Sequence, residues 1–222
     1  MDKPKMTAAE AARQLRQPAG EGGIMMGIQM NKSNRLLYEM TLDFLSLHQG
    51  DELLEIGMGN GHFVPELFEE EPGIRYTGID LSDVMVAEAE KLNEALIAAG
   101  NVIFHCAPAE KMPVQDAHYS KVFGVNVLYF WDQPEVTLKE IHRILRLGGD
   151  LVLAFRSRAT MEQLPFVDHG FTLYDVETAQ ALLQNNGFNV TDVITAIEPP
   201  KQAADGSQLV QLENICMRGV KI

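Results

Sequence analysis

The stretch Leu53–His62, LLEIGMGNGH, sets three glycines at alternate positions, Gly57, Gly59 and Gly61, between a short apolar run and a helix-like segment. Glycine lets a backbone turn sharply and lets a ligand come close to it. A phosphate loop needs G-x-x-x-x-G-K-[ST], and no Lys-Ser or Lys-Thr follows these glycines. A dinucleotide fingerprint, G-x-G-x-x-G, needs its third glycine at position 62, where the chain has His62. The loop reads G-x-G-x-G instead, with Glu55 two residues ahead of Gly57.

That carboxylate discriminates between ligands. A pyrophosphate is anionic and is served by helix-terminal amides with no acid nearby. The methionyl end of S-adenosylmethionine carries an ammonium, a carboxylate and a sulfonium. Backbone amides suit its carboxylate and Glu55 suits its cationic end. Asp80, 19 residues past Gly61 at the end of the next apolar run, could accept hydrogen bonds from two ribose hydroxyls. It would serve any nucleoside, so an NAD(P)-dependent oxidoreductase stays open as an alternative.

The elements that must position these residues follow from periodicity. Residues 1–50 read as a helical N-terminal extension. Thr7 and Glu10 stand at capping-box spacing, Pro18 ends the first helix, and PAGEGG reads as a flexible break. In MNKSNRLLYEMTLDFLSL, Leu37, Met40, Phe44 and Leu47 share a helical face. Residues 51–222 alternate apolar runs with helical patterns. ELLEIG, RYTGID, NVIFHC, KVFGVNV and DLVLAF read as strands, and FNVTDVITAI and LVQLENICMRG as two closing strands. Between them, FVPELFEEE is helical with Pro65 near its first turn. A helix from Ser82 to a Gly100 stop has Met85, Ala89, Leu92, Leu96 and Ala99 on one face. DQPEVTLKEIHRILRLGG offers Asp132 and Glu135 as a capping box and basic residues 143 and 146 near its end, and DVETAQALLQNNG is the next helix. Such alternation predicts an α/β fold, a doubly wound, mostly parallel seven-stranded sheet. Ligands bind such sheets at the carboxyl ends of the strands, where the glycine loop, Asp80, the segment after Cys106 and Asn126 would meet.

Composition narrows the function classes. The 222 residues carry 31 acidic and 18 basic side chains, a formal charge of −13, with no Lys/Arg cluster. Phosphate-gripping nucleic-acid binders show a basic face, so no nucleic-acid partner is expected. Two cysteines, Cys106 and Cys216, lie in apolar runs and are expected as buried reduced thiols. The histidines at 48, 62, 105, 118, 142 and 169 are scattered, and without CxxC or HExxH no metal is expected. No serine sits in G-x-S-x-G. With no signal-peptide pattern and no apolar run of the ~18 residues a transmembrane helix needs, a cytoplasmic protein without a transmembrane segment is expected. No feature bears on oligomeric state.

The ordered motifs carry a resemblance. LLEIGMGNGHFVPEL, YTGIDLSDVMVAEA, APAEKMP, NVLYFWDQPEVTLKEIHRILRLGGDLVLAF and FTLYDVETAQALLQNNGF resemble, in sequence order, the motifs of class I S-adenosylmethionine-dependent methyltransferases. They look most like the methyltransferase type 11 group, related to quinone-biosynthesis C-methyltransferases. The match runs over roughly residues 50–190. It implies a Rossmann-like methyltransferase fold, an EC 2.1.1 activity, and S-adenosyl-L-methionine as cofactor with S-adenosyl-L-homocysteine as product. Carried over by position, Glu55, Gly57, Met58, Gly59 and Gly61 would shape the methionyl site and Asp80 would hold the ribose. Leu81 and Met85 would pack near the adenine, Ala109 and Glu110 would border it, and Asn126 with Val127 would face the methionyl group. Pro108 stands where the family usually has an acidic residue for the adenine amine, and Glu110 is the substitute candidate. Asn126 and Tyr129 also have the spacing of the N-P-P-Y motif of methyltransferases acting on planar amines, without its prolines.

A small-molecule methyl acceptor is the partner expected. Its pocket is expected from the segment around Met25–Asn34, a possible lid, and from the loop Arg156–Tyr174, with Tyr129, Phe130 and Arg156 as acceptor contacts. Tyr129, Asp168 and His169 are conceivable bases, and none carries a signature, so no catalytic residue is named. A methyltransferase-like protein that binds the cofactor without turnover is the non-enzymatic alternative.

Overall fold

A computed structural model describes residues 6–202 and 209–222. The chain opens with three helices, α1 (Ala8–Arg16), α2 (Gly20–Ser33) and α3 (Arg35–Leu45). There follow β1 (Glu52–Ile56), α4 (Val64–Glu70), β2 (Arg75–Asp80), α5 (Asp83–Leu92), α6 (Glu94–Ala98), β3 (Val102–Cys106) and β4 (Tyr119–Val125). The remainder comprises α7 (Pro134–Ile144), β5 (Leu145–Arg156), α8 (Arg158–Met161), α9 (Val176–Asn185), β6 (Phe188–Ile197), the short pair β7 (Lys201–Gln202) and β8 (Leu209–Val210), and β9 (Glu213–Lys221). No helix among the described residues is long and apolar enough to cross a membrane.

Seven strands form one sheet in the order β3-β2-β1-β4-β5-β9-β6. The first five are parallel, and β9 runs antiparallel between β5 and β6. The doubly wound α/β architecture is the one expected. Its cause is visible in β1, where successive side chains serve opposite faces. Leu54 and Ile56 join Val122, Leu151 and Leu153 beneath Leu138, Ile141 and Leu183 of α7 and α9. Leu53 joins Phe123 and Val152 against Leu37 and Phe44 of α3, Leu67 of α4 and Ala89 of α5. A strand buried on both faces reads as an unbroken apolar run.

The local differences from expectation have physical reasons. PAGEGG is no flexible break, because its glycines begin α2. A Cβ on Gly23 would lie 2.7 Å from the Pro18 backbone, and one on Gly27 3.0 Å from Met85 Sδ. Gly23 thus lets α2 lie close on the turn at Pro18, and Gly27 lets it lie close on α5. Asn34 separates α2 from α3, and α3 stops before left-handed Ser46, so Leu47 is outside it. The helix expected from Ser82 to Gly100 breaks at Asn93, whose side-chain amide donates to the carbonyls of Gly61 and Ala89. Met85 and Ala89 are buried as expected, whereas Leu92 is 55% exposed. The N-cap of α7 is Gln133, with Pro134 in the first turn; Asp132 pairs with Arg16 of α1 instead of capping. Arg146 falls in β5, which begins at Leu145. Cys216 is buried, but Cys106, at the open end of edge strand β3, is exposed. The Thr7–Glu10 capping box forms as read. Residues 1–5 of the expected helical extension lie outside the described residues.

Candidate functional site

The loop after β1 is built from three left-handed glycines, Gly57 (φ 71°), Gly59 (φ 58°) and Gly61 (φ 64°). They differ in what surrounds them. A Cβ on Gly57 would lie 2.3 Å from Val127 Cγ1, and one on Gly61 2.8 Å from Asn93 Nδ2 and 2.9 Å from Ala89 Cβ. These two serve packing as well as turn geometry. At Gly59 a Cβ would meet nothing within 4 Å. Its bare backbone faces open space.

Asp80, at the end of β2, fastens this loop. Its Oδ2 accepts from the Gly59 amide at 2.9 Å and its Oδ1 from the Ser82 amide at 2.8 Å. Burial pushes its carboxyl above the ordinary value, and those amides oppose the rise. Each oxygen keeps lone-pair capacity for a further donor. Asn126, at the end of β4, is held at φ 56°. Its Nδ2 donates to Asn34 Oδ1 at 3.0 Å, and its Oδ1 accepts from the Tyr129 hydroxyl at 3.0 Å. Three adjacent parallel strands thus deliver the loop, the acid and the amide to one edge.

These groups face a cavity of about 880 Å³. Of the residues singled out from sequence, Gly57, Met58, Gly59, Asp80, Asn126, Val127, Tyr129, Phe130 and Arg156 line it. Met26, Met30 and Asn34 join them, as do Met161, Leu164 and Phe171 from the loop after β5. The other expected contacts lie outside. Glu55 is 2% exposed, and its two oxygens accept from the hydroxyls of Tyr38 and Tyr76, the latter at 2.6 Å. Burial pushes its carboxyl up to about 7, against the pull of those hydroxyls. Gly61 is packed under α5, and Met85 is buried beneath Gly27 of α2. Leu81 is 42% exposed; its carbonyl accepts from Gln17 Nε2, and the neighbouring Ser82 hydroxyl donates to the Pro18 carbonyl. The α1–α2 turn therefore occupies the flank where an adenine wall of Leu81, Met85, Ala109 and Glu110 was expected. Asp168 stands at the cavity with an exposed side chain, and His169 lies outside it.

Sequence reasoning missed the contributions that arrive over long range. Tyr38 and Phe63 stack at 3.9 Å between centroids and both line the cavity. Ala8, Ala11, Leu15 and Arg16 of α1 line it too, as do Val210 and Leu212 near the C-terminus. The amphipathic face of α1 was the available signal, but nothing in it says where the helix docks. The Tyr129 hydroxyl, conceivable as a base, is engaged by the Arg156 amide and by Asn126, and burial pushes its pKa up.

Known proteins share part of this sequence and its fold. A family described as "Methyltransferase domain" matches residues 54–153. The chain is 27% identical over 135 residues to the uncharacterized methyltransferase YdaC of Bacillus subtilis (strain 168), a stretch spanning 61% of this chain and 72% of that one. It is 27% identical over 171 residues to the O-methyltransferase resE of Aspergillus sclerotiorum, spanning 70% of this chain and 62% of that one. The second relative is thus covered over less than two thirds of its length. In fold, the chain is similar to the solved complex between the Haloferax volcanii Trm112 methyltransferase activator and a putative methyltransferase. The TM-score is 0.74 and the identity 18%, with 99% of both chains covered. The glycine loop, Asp80 and Asn126 all fall inside the segment that matches the methyltransferase-domain family, and the fold is the Rossmann-like one of solved methyltransferases.

Proposed function

We propose that this chain transfers a methyl group from S-adenosylmethionine to a small-molecule acceptor. One observation carries the reading: the open cradle at Gly59 and the Asp80 carboxylate share a cavity with an apolar wall built outside the matched segment. The residues present fit the cofactor. Asp80 has acceptor capacity for the ribose hydroxyls, and the Gly57–Gly59 backbone leaves room for the methionyl chain. Glu55 favours the ammonium end through space, because Tyr38 stands between it and the cavity. Leu81, Met85, Ala109 and Glu110 remain the adenine neighbours if the α1–α2 turn shifts.

When bound, the cofactor supplies a methyl group on a sulfonium, which is already an activated leaving group. The protein's work is then alignment and exclusion of water. Asp80 and the glycine loop fix the donor end, while Asn126, Tyr129 and Phe130 mark the boundary with the acceptor end. Helices α1 and α2 close the cavity. Arg16 and Asp132 form a two-point ion pair that fastens α1 to the segment before α7. We read α1 and α2 as a lid that must open for ligands to enter.

Calorimetric titration with S-adenosylmethionine, followed by an acceptor screen for S-adenosylhomocysteine release, tests the reading. Binding with turnover supports it. Binding without release from any acceptor favours a non-catalytic cofactor-binding protein, and absence of binding removes both.

A further inference from the structure

Away from the glycine loop the cavity wall is mainly apolar and aromatic, with the exposed Glu162, Gln163 and Asp168 at its margin. Phe171 packs against Phe130 and Phe166, with ring centroids 4.8 and 5.4 Å apart, and Met30, Met161 and Leu212 border the same space. Two arginines line the cavity, and Arg16 is already paired with Asp132. Arg156 ends β5, lines the cavity, and has a side chain only 12% exposed.

Its guanidinium is incompletely used. Nη2 donates to the Ser33 carbonyl at 2.7 Å and, at 3.5 Å, to Asn34 Oδ1. The carboxylate of Glu198 lies 3.9 Å away, within ion-pair range but too far for a hydrogen bond. Nε is buried without a partner, and Nη1 donates to no described residue. Arg143 in the same chain shows the contrast. All three of its nitrogens donate, to Glu140, Asp116 and the carbonyls of Val114 and Met112. Unfilled donors on a mostly buried guanidinium are unfavourable, and an oxyanion in the cavity can accept from Nη1, the free donor that is not sealed off. Position matters as well. The Arg156 amide donates to the Tyr129 hydroxyl, which donates to Asn126 beside the glycine loop. Arg156 therefore joins the apolar half of the cavity to the donor half.

We infer that the methyl acceptor is an apolar, ring-bearing oxyacid whose ionised oxygen sits on Arg156 while its ring lies among the phenylalanines. The inference rests on the methyl-transfer reading above. The acceptor releases its proton to solvent, a shift that the guanidinium favours by stabilising the anion. A lone pair of that oxygen forms the new O–C bond as the C–S bond breaks, and its electrons pass to sulfur, leaving a neutral thioether. No protein base is needed, which agrees with the engaged hydroxyl of Tyr129. The methylated product no longer carries the charge that Arg156 holds, which favours its release.

The test uses 2-naphthoate and its neutral near-isostere 2-naphthamide, titrated calorimetrically with and without saturating S-adenosylhomocysteine. Naphthoate should bind about tenfold more tightly, as for a charge-assisted hydrogen bond gained. Arg156→Gln should bring the two ligands to within about twofold of each other, and Arg156→Lys, which keeps the charge, should retain part of the preference. Thermal melts establish that each variant folds, and Arg156→Lys decides if the Gln variant does not. Equal binding of the two ligands, binding of neither, or a preference surviving in Arg156→Gln overturns the inference. S-adenosylhomocysteine binding in the same experiments reports the donor reading separately.

Discussion

Replacing Gly59 with alanine separates ligand binding from folding. A non-glycine residue at φ 58° costs about 1–2 kcal/mol, and a Cβ there meets nothing within 4 Å, so no clash adds to it. For a chain of 222 residues that corresponds to a fall in Tm of about 2–8 °C. The methyl group would instead project into the space read here as the cradle for the methionyl chain. S-adenosylmethionine affinity should fall by at least about tenfold, or roughly 1.4 kcal/mol. Gly57→Ala is the control for packing. Its Cβ would overlap Val127 Cγ1 at 2.3 Å, so about 1–3 kcal/mol of overpacking adds to the backbone strain. Differential scanning calorimetry and isothermal titration read the two quantities independently. A folded Gly59→Ala variant with wild-type affinity would refute the cradle, leaving the loop as a structural strand–helix turn.

Asp80→Ala should weaken S-adenosylmethionine binding by about 1.5–3 kcal/mol, measured by titration, through loss of hydrogen bonds to a charged acceptor; undiminished affinity removes the ribose assignment. Glu55 carries a pH signature. Its carboxyl is pushed up to about 7 from 4.5 by burial, so the native state holds the proton more tightly than the unfolded chain. Wild-type stability from this group is therefore full below pH 4.5, falls as pH rises, and is lost above about 7. Unfolding free energies of Glu55→Gln and wild type, from urea titrations, should diverge over that window by about 3 kcal/mol in the variant's favour, and a pH-independent difference would contradict the burial argument. Asp132→Ala removes an exposed ion pair worth up to about 1 kcal/mol, so tryptic cleavage at Lys32 and Arg35 should speed up by about two- to fivefold and slow when S-adenosylhomocysteine is added. Cleavage indifferent to the ligand would leave α1 and α2 as fixed walls rather than a lid.

The sheet was legible because parallel strands buried on both faces leave continuous apolar runs, as in LVLAF, Leu151–Phe155. The meeting of Gly59, Asp80 and Asn126 was legible for a related reason: strands β1, β2 and β4 are neighbours, so their carboxyl ends share one edge. Contacts made over long sequence distances were not legible. The glycines before Ile24 look like a hinge in one dimension, and only the close approach of Gly23 to the Pro18 backbone shows a packing role there. Asp132 stands three residues before Glu135 and reads as a helix cap, yet Arg16 reaches it from 116 residues away. Glu55 adjoins the loop in sequence but lies outside the cavity, because the tyrosines that cover it come from α3 and β2, and no local pattern announces them.

The most direct measurement is a calorimetric titration of the protein with S-adenosylmethionine, run beside an identical titration with NADH. A single site with a Kd on the order of micromolar for S-adenosylmethionine, and no heat from NADH, is the outcome the structure predicts. Saturable NADH binding with no response to millimolar S-adenosylmethionine would contradict the central claim.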